Sequence, residues 1–297
     1  MKIPAIESFD VVRGGDSPGD VTQFCEGHVH QVNALFSRVV EEILKCTDEK
    51  IVIAVAGGSG VGKSGVAALL SYYLNENNMK TYTLTGDNYP RRRPFLNDLE
   101  RTNVFRSAGL KGLVASGQYS KEVHQTLTTM QQQEVDADRS KISEYAWLES
   151  YIEAAEVALS AYLGQPAEQD FEQLESILSQ FKQGADNIML KRMGREEFST
   201  YYEEVDFSET KVLVLEWTHS LSKHLKSIDI PVLLCSTPEE TLERRKRRNR
   251  EGDQVDTAFI SMVLKLEQQH INSRAYVAKI LLSPEGELLT QKEVSSC

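Results

Sequence analysis

Residues 57–64 read GGSGVGKS, and their types and spacing point to one chemistry, the binding of a polyphosphate. Gly57, Gly62, Lys63 and Ser64 fit the phosphate-loop pattern G-x-x-x-x-G-K-S/T. Gly57, Gly58, Gly60 and Gly62 carry no Cβ, so the backbone can curl closely around a ligand. With Ser59 and Val61 between them, successive N–H groups then face inward as an anion-binding nest, backed by a helix N-terminus. In that geometry Lys63 reaches the β- and γ-phosphates of ATP, and the Ser64 hydroxyl ligates Mg²⁺.

Two carboxylates and two basic runs are the other candidates. Asp87 lies in Gly86-Asp87-Asn88-Tyr89-Pro90-Arg91-Arg92-Arg93-Pro94. There it can accept the proton of an attacking hydroxyl or help to hold Mg²⁺. Asp87, Tyr89, Arg91 and Arg92 are the candidate contacts to the phosphoryl acceptor. The arginines can equally face the triphosphate or solvent. Glu216 closes the apolar run Val212-Leu213-Val214-Leu215, the usual shape of an acid on the Mg²⁺ side of a phosphate loop. The run from Arg244 to Arg250 reads as a lid that folds over the triphosphate, with a solvated helix face as the alternative.

The elements that must position these groups follow from periodicity. Ile51 to Ala56 is a short apolar run ahead of the glycines, and Gly65 to Leu74 reads as a helix after them. Residues 80–85, 187–190, 211–216, 230–235 and 276–282 read as further strands, with Lys191, Arg192 and Arg195 in a loop after the second of these. Helices are predicted from Val32 to Leu44, Asp170 to Lys182 and Asp256 to Asn272. Thr237, Pro238 and Glu240 have the spacing of a capping box at the start of the arginine-bearing helix. The predicted fold is therefore α/β, a three-layer phosphate-loop NTPase sandwich around a mainly parallel sheet.

Residues 1–50 are predicted to form a loosely structured arm and one helix, and 51–95 with 170–297 the kinase core. Residues 96–169, with Ile142, Tyr145, Leu148, Ile152, Ala155 and Leu159 at helical spacing, read as a helical insertion. It serves either the acceptor pocket or a homodimer surface.

Composition narrows the partners. Of 297 residues, 40% are hydrophobic and 26% charged, with a net charge of −11. That acidity argues against a general nucleic-acid or anionic-membrane binder. No apolar run approaches the ~20 residues that span a bilayer, and the first residues lack the apolar core of a secretory signal. Cys25, Cys46, Cys235 and Cys297 are scattered, so a cytoplasmic protein with reduced thiols is expected.

In motif order the chain resembles the phosphoribulokinase/uridine kinase family of phosphate-loop small-molecule kinases. GGSGVGKS, the Asp87 loop, VLVLE, the arginine-rich segment and YVAKILL carry the resemblance. It implies transfer of the γ-phosphoryl of ATP to a hydroxyl of a small metabolite. The base falls on Asp87, the second acid on Glu216, and the lid arginines on Arg245 and Arg248. Uridine kinases carry Glu-Gly where this chain has Glu216-Trp217. The triplet Gly86-Asp87-Asn88 is also similar to the loop of adenylylsulfate kinases, which makes that activity the alternative. A reading of another class is a nucleotide-regulated ATPase acting on a protein partner.

Overall fold

The structure is a computed structural model that describes residues 1–6, 8–19, 22–194, 199–248 and 257–294. Among them, five parallel strands form one sheet: β1 (Ile51–Gly57), β2 (Thr81–Thr85), β5 (Val212–Glu216), β6 (Ile230–Leu234) and β7 (Ile280–Leu282). Their order across the sheet is β2-β5-β1-β6-β7. Strands buried on both faces carry unbroken apolar runs, because each face meets a helical layer. β1 shows this directly. Ile51, Ile53 and Val55 face one core, and Val52 faces another.

The first core is closed by α1 (Glu26–Ile43) and α2 (Lys63–Glu76), through Val32, Leu35, Phe36 and Val39 of one and Val66, Leu69, Leu70 and Tyr73 of the other. On the opposite face lie α6 (Phe171–Lys182) and part of the hairpin β3 (Asn187–Met193) with β4 (Thr200–Asp206), packed on Leu84, Leu213 and Leu215. The sandwich is therefore three-layered, as the sequence predicts. Local signals behave as read. Thr237 Oγ1 accepts from Glu240 N at 3.3 Å, and Glu240 Oε2 accepts from Thr237 N at 2.8 Å, the reciprocal pair of a capping box. That pair opens α7 (Pro238–Arg248).

The segment 96–169 is helical: α3 (Pro94–Ala115), α4 (Lys121–Gln132) and α5 (Trp147–Tyr162). These helices share a core with α8 (Ala258–Ser273), built from Phe105, Leu113, Leu148, Ile152, Met262 and Val263. A short helix, α9 (Gln291–Val294), follows the sheet. Among the described residues no helix is long and apolar enough to cross a membrane.

Two parts of the reading are corrected. Lys191 and Arg192 are not in a loop: β3 runs through them and pairs antiparallel with β4, Lys191 opposite Tyr202 and Arg192 opposite Tyr201. Arg195 lies outside the described residues. The N-terminal arm, predicted to be loosely structured, has little regular structure among its described residues but is pinned at Asp16. Arg192 Nη1 meets Asp16 Oδ2 at 2.6 Å, while Asp16 Oδ1 accepts from Thr85 N at 2.8 Å. Tyr82 donates to the same carboxylate at 3.0 Å. A guanidinium inside a strand finds its partner in the arm.

The end of β2 approaches β5 closely at one residue. A Cβ on Gly86 would lie 2.1 Å from Trp217 Cγ, inside the indole. Glycine is therefore required by space here, and it also sets Asp87 beside the sheet edge. Gly86→Ala is expected to lower unfolding stability by about 1–3 kcal/mol through overpacking. Urea denaturation checks this, and an unchanged midpoint would mean that Trp217 moves aside freely.

Candidate active site

The phosphate loop leaves β1 at Gly57 and enters α2 at Lys63. Gly62 is the residue before the helix and has φ 106°, a left-handed conformation that favours glycine. Val66 N already donates to Gly62 O, so the first turn is formed. Lys63 Nζ donates to Gly58 O at 3.1 Å, which folds the side chain back over its own loop. The loop, Lys63 and Ser64 line a cleft of about 350 Å³.

Parallel register brings the acids to this cleft. Glu216 pairs with Val55 on one side and with Thr85 on the other. Val55 stands two residues before the phosphate loop, and Thr85 two before Asp87. The three strand ends thus deliver Lys63, Ser64, Glu216 and Asp87 to one wall. Glu216 is buried, at 5% exposure, and Asp87 is exposed. A hydroxyl, a buried carboxylate and an open one around a nest of N–H groups are a donor set that fits a nucleoside triphosphate with Mg²⁺.

Helix α7 closes over the loop. Arg244 lines the cleft and donates from Nη1 to Val61 O at 3.1 Å. Arg245 is 5% exposed and donates to Pro238 O and Thr241 Oγ1. Its Cγ lies 2.8 Å from where a Cβ of Gly60 would stand. Arg245 therefore packs the helix onto the loop, and Arg244 is the arginine that faces the cleft. The Arg248 side chain lies outside the described residues.

The arm supplies another wall, through Gly15, Ser17, Thr22 and Cys25, and α1 adds His28. Burial, reinforced by the Arg244 charge, holds the His28 imidazole below its ordinary pKa.

A second cleft, of about 320 Å³, shares Asp87, Ser17 and Thr218 with the first. It is bounded by α3, by the 168–170 segment and by Trp217 and His219 behind β5. Tyr89, Arg91 and Arg92 do not line it. Tyr89 is wholly buried in the core beneath the sheet, and burial pushes its phenol pKa up. Arg91 donates to Pro166 O, and Arg92 to Ala167 O and Tyr162. These arginines tie the end of the insertion to the β2 loop.

The cation at the second cleft is Arg101 of α3. Its Nε meets Glu168 Oε1 at 2.6 Å, and Nη2 meets Glu267 Oε1 at 2.9 Å. Glu168 also accepts from Gly164 N and Asn97 Nδ2. Burial opposes the charge of Glu168, but the Arg101 guanidinium and the Gly164 N–H, with smaller contributions around them, together hold the carboxyl below its usual range. For Glu267 burial dominates and pushes the carboxyl up. Sequence reading missed Asn97, Arg101, Glu168, Gln169, His219 and Glu267. Each is an ordinary polar residue in its local context, and no spacing marks it.

The adenylylsulphate kinase family pattern matches residues 49–134, which hold the phosphate loop, the Asp87 loop and α3. A bifunctional alpha-galactosidase/sucrose kinase of Mediterraneibacter gnavus is 32% identical over 269 residues, 91% of this chain. The chain spans 24% of the length of that curated relative. A solved structure described as a fructose transport system kinase from Silicibacter sp. TM1040 superposes with a TM-score of 0.51. It is 15% identical, over 82% of this chain and 94% of that one. The chain shares the α/β fold of that structure. Ser59 of the phosphate loop shares a further cleft with Arg101 and Phe105 of α3 and Glu267 of α8.

His219 is buried, and burial lowers its pKa from 6.5 to about 3. Below pH 6.5 the unfolded chain takes up a proton that the folded chain refuses until about pH 3. Stability from this group is therefore lost as pH falls through that window, by up to about 1.4 kcal/mol per pH unit. Above the window both states are neutral, and the effect vanishes. The stability advantage of wild type over His219→Asn is expected to narrow between pH 7 and pH 5 in urea denaturation. A constant difference would show that His219 titrates alike folded and unfolded.

Proposed function

We propose that the chain is an ATP-dependent kinase that transfers the γ-phosphoryl group to a hydroxyl of a small metabolite. The observation that carries this reading is the shared wall. Lys63, Ser64, Glu216 and Asp87 line one cleft, and Asp87 alone of these four also lines the second. A group at that junction can take a proton from an acceptor lying on one side while a phosphate lies on the other.

In this reading Asp87 accepts the acceptor's proton. The hydroxyl oxygen then forms a bond to the γ-phosphorus, and the bond from that phosphorus to the bridging oxygen of ADP breaks. Lys63 and Arg244 neutralise charge on the leaving and transferring oxygens. Ser64 and Glu216 would hold Mg²⁺, which when bound neutralises the β- and γ-phosphate oxygens. The arm and α7 close the cleft and limit water, so that hydrolysis competes poorly with transfer.

The description of the Mediterraneibacter gnavus relative as part sucrose kinase supports a sugar hydroxyl as the acceptor. The family match over 49–134 supports adenylylsulfate as the second reading.

The test is ADP release from Mg²⁺-ATP against neutral sugars, glycerate, nucleosides and adenylylsulfate. One acceptor is expected to raise the rate well above basal hydrolysis, with Lys63→Ala inactive. Asp87→Asn is expected to lose about 10²–10⁴-fold in kcat while still binding ATP, the range of a general base. Near-full activity in Asp87→Asn would remove the base assignment, and a flat panel would remove the kinase reading.

A further inference from the structure

The second cleft carries an assignment of its own, which rests on the kinase reading above. Two residues that line it hold oxygens without a donor. Asn97 Oδ1 and Gln169 Oε1 are buried and accept no hydrogen bond, and the residues are 7% and 4% exposed. The Asn97 amide is oriented by its other end, since Nδ2 donates to Glu168 Oε1 at 3.0 Å. Gln169 is held by the bridge between its backbone and Pro90. Buried polar atoms in native proteins are nearly always paired. Two unpaired acceptors on one cleft therefore call for a ligand that brings donors.

The charges select which donors. Among the described residues that line this cleft Arg101 is the only cation. Its guanidinium is already taken up by Glu168 and Glu267, with Asp98 at 4.0 Å. Asp87, Asp98 and Glu267 line the same cleft. A phosphate or carboxylate on the acceptor would need an uncommitted Lys or Arg. It would meet like charge here instead. A hydroxyl is different, since it donates to a carboxylate or an amide oxygen and brings no charge. Trp217 and Met193 add an apolar wall on which C–H groups can rest.

We propose that this cleft is the acceptor site and that it takes an uncharged polyhydroxyl compound, a sugar or polyol without phosphate or carboxylate. Asn97 Oδ1 and Gln169 Oε1 accept from its hydroxyls, and one further hydroxyl faces Asp87. Asn97 and Gln169 are specificity residues: they read the acceptor and take no part in the transfer.

The experiment has two readouts on one panel, glucose, fructose, sucrose and glycerol against glycerate, glucose 6-phosphate and adenylylsulfate. Binding is measured by titration calorimetry with Mg²⁺-ADP present, and turnover by ADP release. Neutral compounds alone are expected to bind and to raise turnover. Gln169→Leu is expected to raise KM for the neutral acceptor on the order of 10- to 100-fold, the cost of an unmet hydroxyl in a polar site. KM for ATP should hold, which shows that the variant is folded. Gln169→Asn keeps an uncharged amide oxygen and is expected to recover part of the loss. Turnover of an anionic acceptor with the neutral ones inert would overturn the assignment and leave the kinase reading standing. Neutral binding without turnover would support the site and sink the kinase reading. An unchanged KM in Gln169→Leu, or no neutral compound bound, would overturn the proposal.

Discussion

The parallel pairing of β5 with both β1 and β2 sets the place of almost everything else. Glu216 is the last residue of β5, and its neighbours across the ladder are Val55 and Thr85. In a sheet of this kind all three strands end at one edge, and ligands bind beyond that edge. A slip of one residue would turn every side chain to the opposite face. Val212 and Val214 belong to one core, and Leu213 and Leu215 to the other. A slip would therefore exchange the contents of two packed layers. The apolar register thus fixes the distance from the phosphate loop to both acids, although no apolar residue takes part in the chemistry.

Two buried guanidinium clusters then join segments that are far apart in sequence. Arg192 links β3 to the arm through Asp16 and to β2 through Tyr82. Burial works against its charge, but Asp16, Tyr82 and Glu203 together hold its pKa above the ordinary value. Arg101 links α3 to Glu168 at the end of the insertion and to Glu267 of α8. Buried pairs of this type contribute little net stability compared with apolar packing, because desolvation offsets most of the attraction. Their effect here is on geometry. Each pair has one arrangement that leaves no charge uncompensated, and that arrangement places a wall of a cleft.

The contrast between these two layers explains what could be read from the chain alone. The phosphate loop, β1, α2, β5 and the cap of α7 were legible because their signals are local: glycine spacing, an unbroken apolar run, and a Thr-x-x-Glu. The strand character of Lys191 and Arg192 was not. Their partners are Pro90 and Asp16, 101 and 176 residues away, and a run of charge with remote partners looks like a loop. Arg91 and Arg92 misled for the same reason in reverse. They sit beside the candidate base in sequence, but they turn to carbonyls of the 166–167 segment.

The same physics separates the two halves of the site. Phosphate is held largely by backbone N–H groups, so its recognition needs a backbone shape, and a backbone shape is written in a few adjacent residues. A polyhydroxyl acceptor offers no charge for a nest to hold and must be read by side chains. Asn97, Gln169, Trp217 and Glu267 come from α3, the end of the insertion, the residue after β5 and α8. No window of sequence contains two of them. They meet because α8 belongs to both layers. Met262 and Val263 close the core of the insertion, while Ile271 packs on Ala56 and Leu233 of the sheet. The position of α8 couples the proposed acceptor wall to the strand that carries the phosphate loop. In the proposed reading, acceptor recognition is thus a property of the assembled layers, and phosphate recognition a property of one turn.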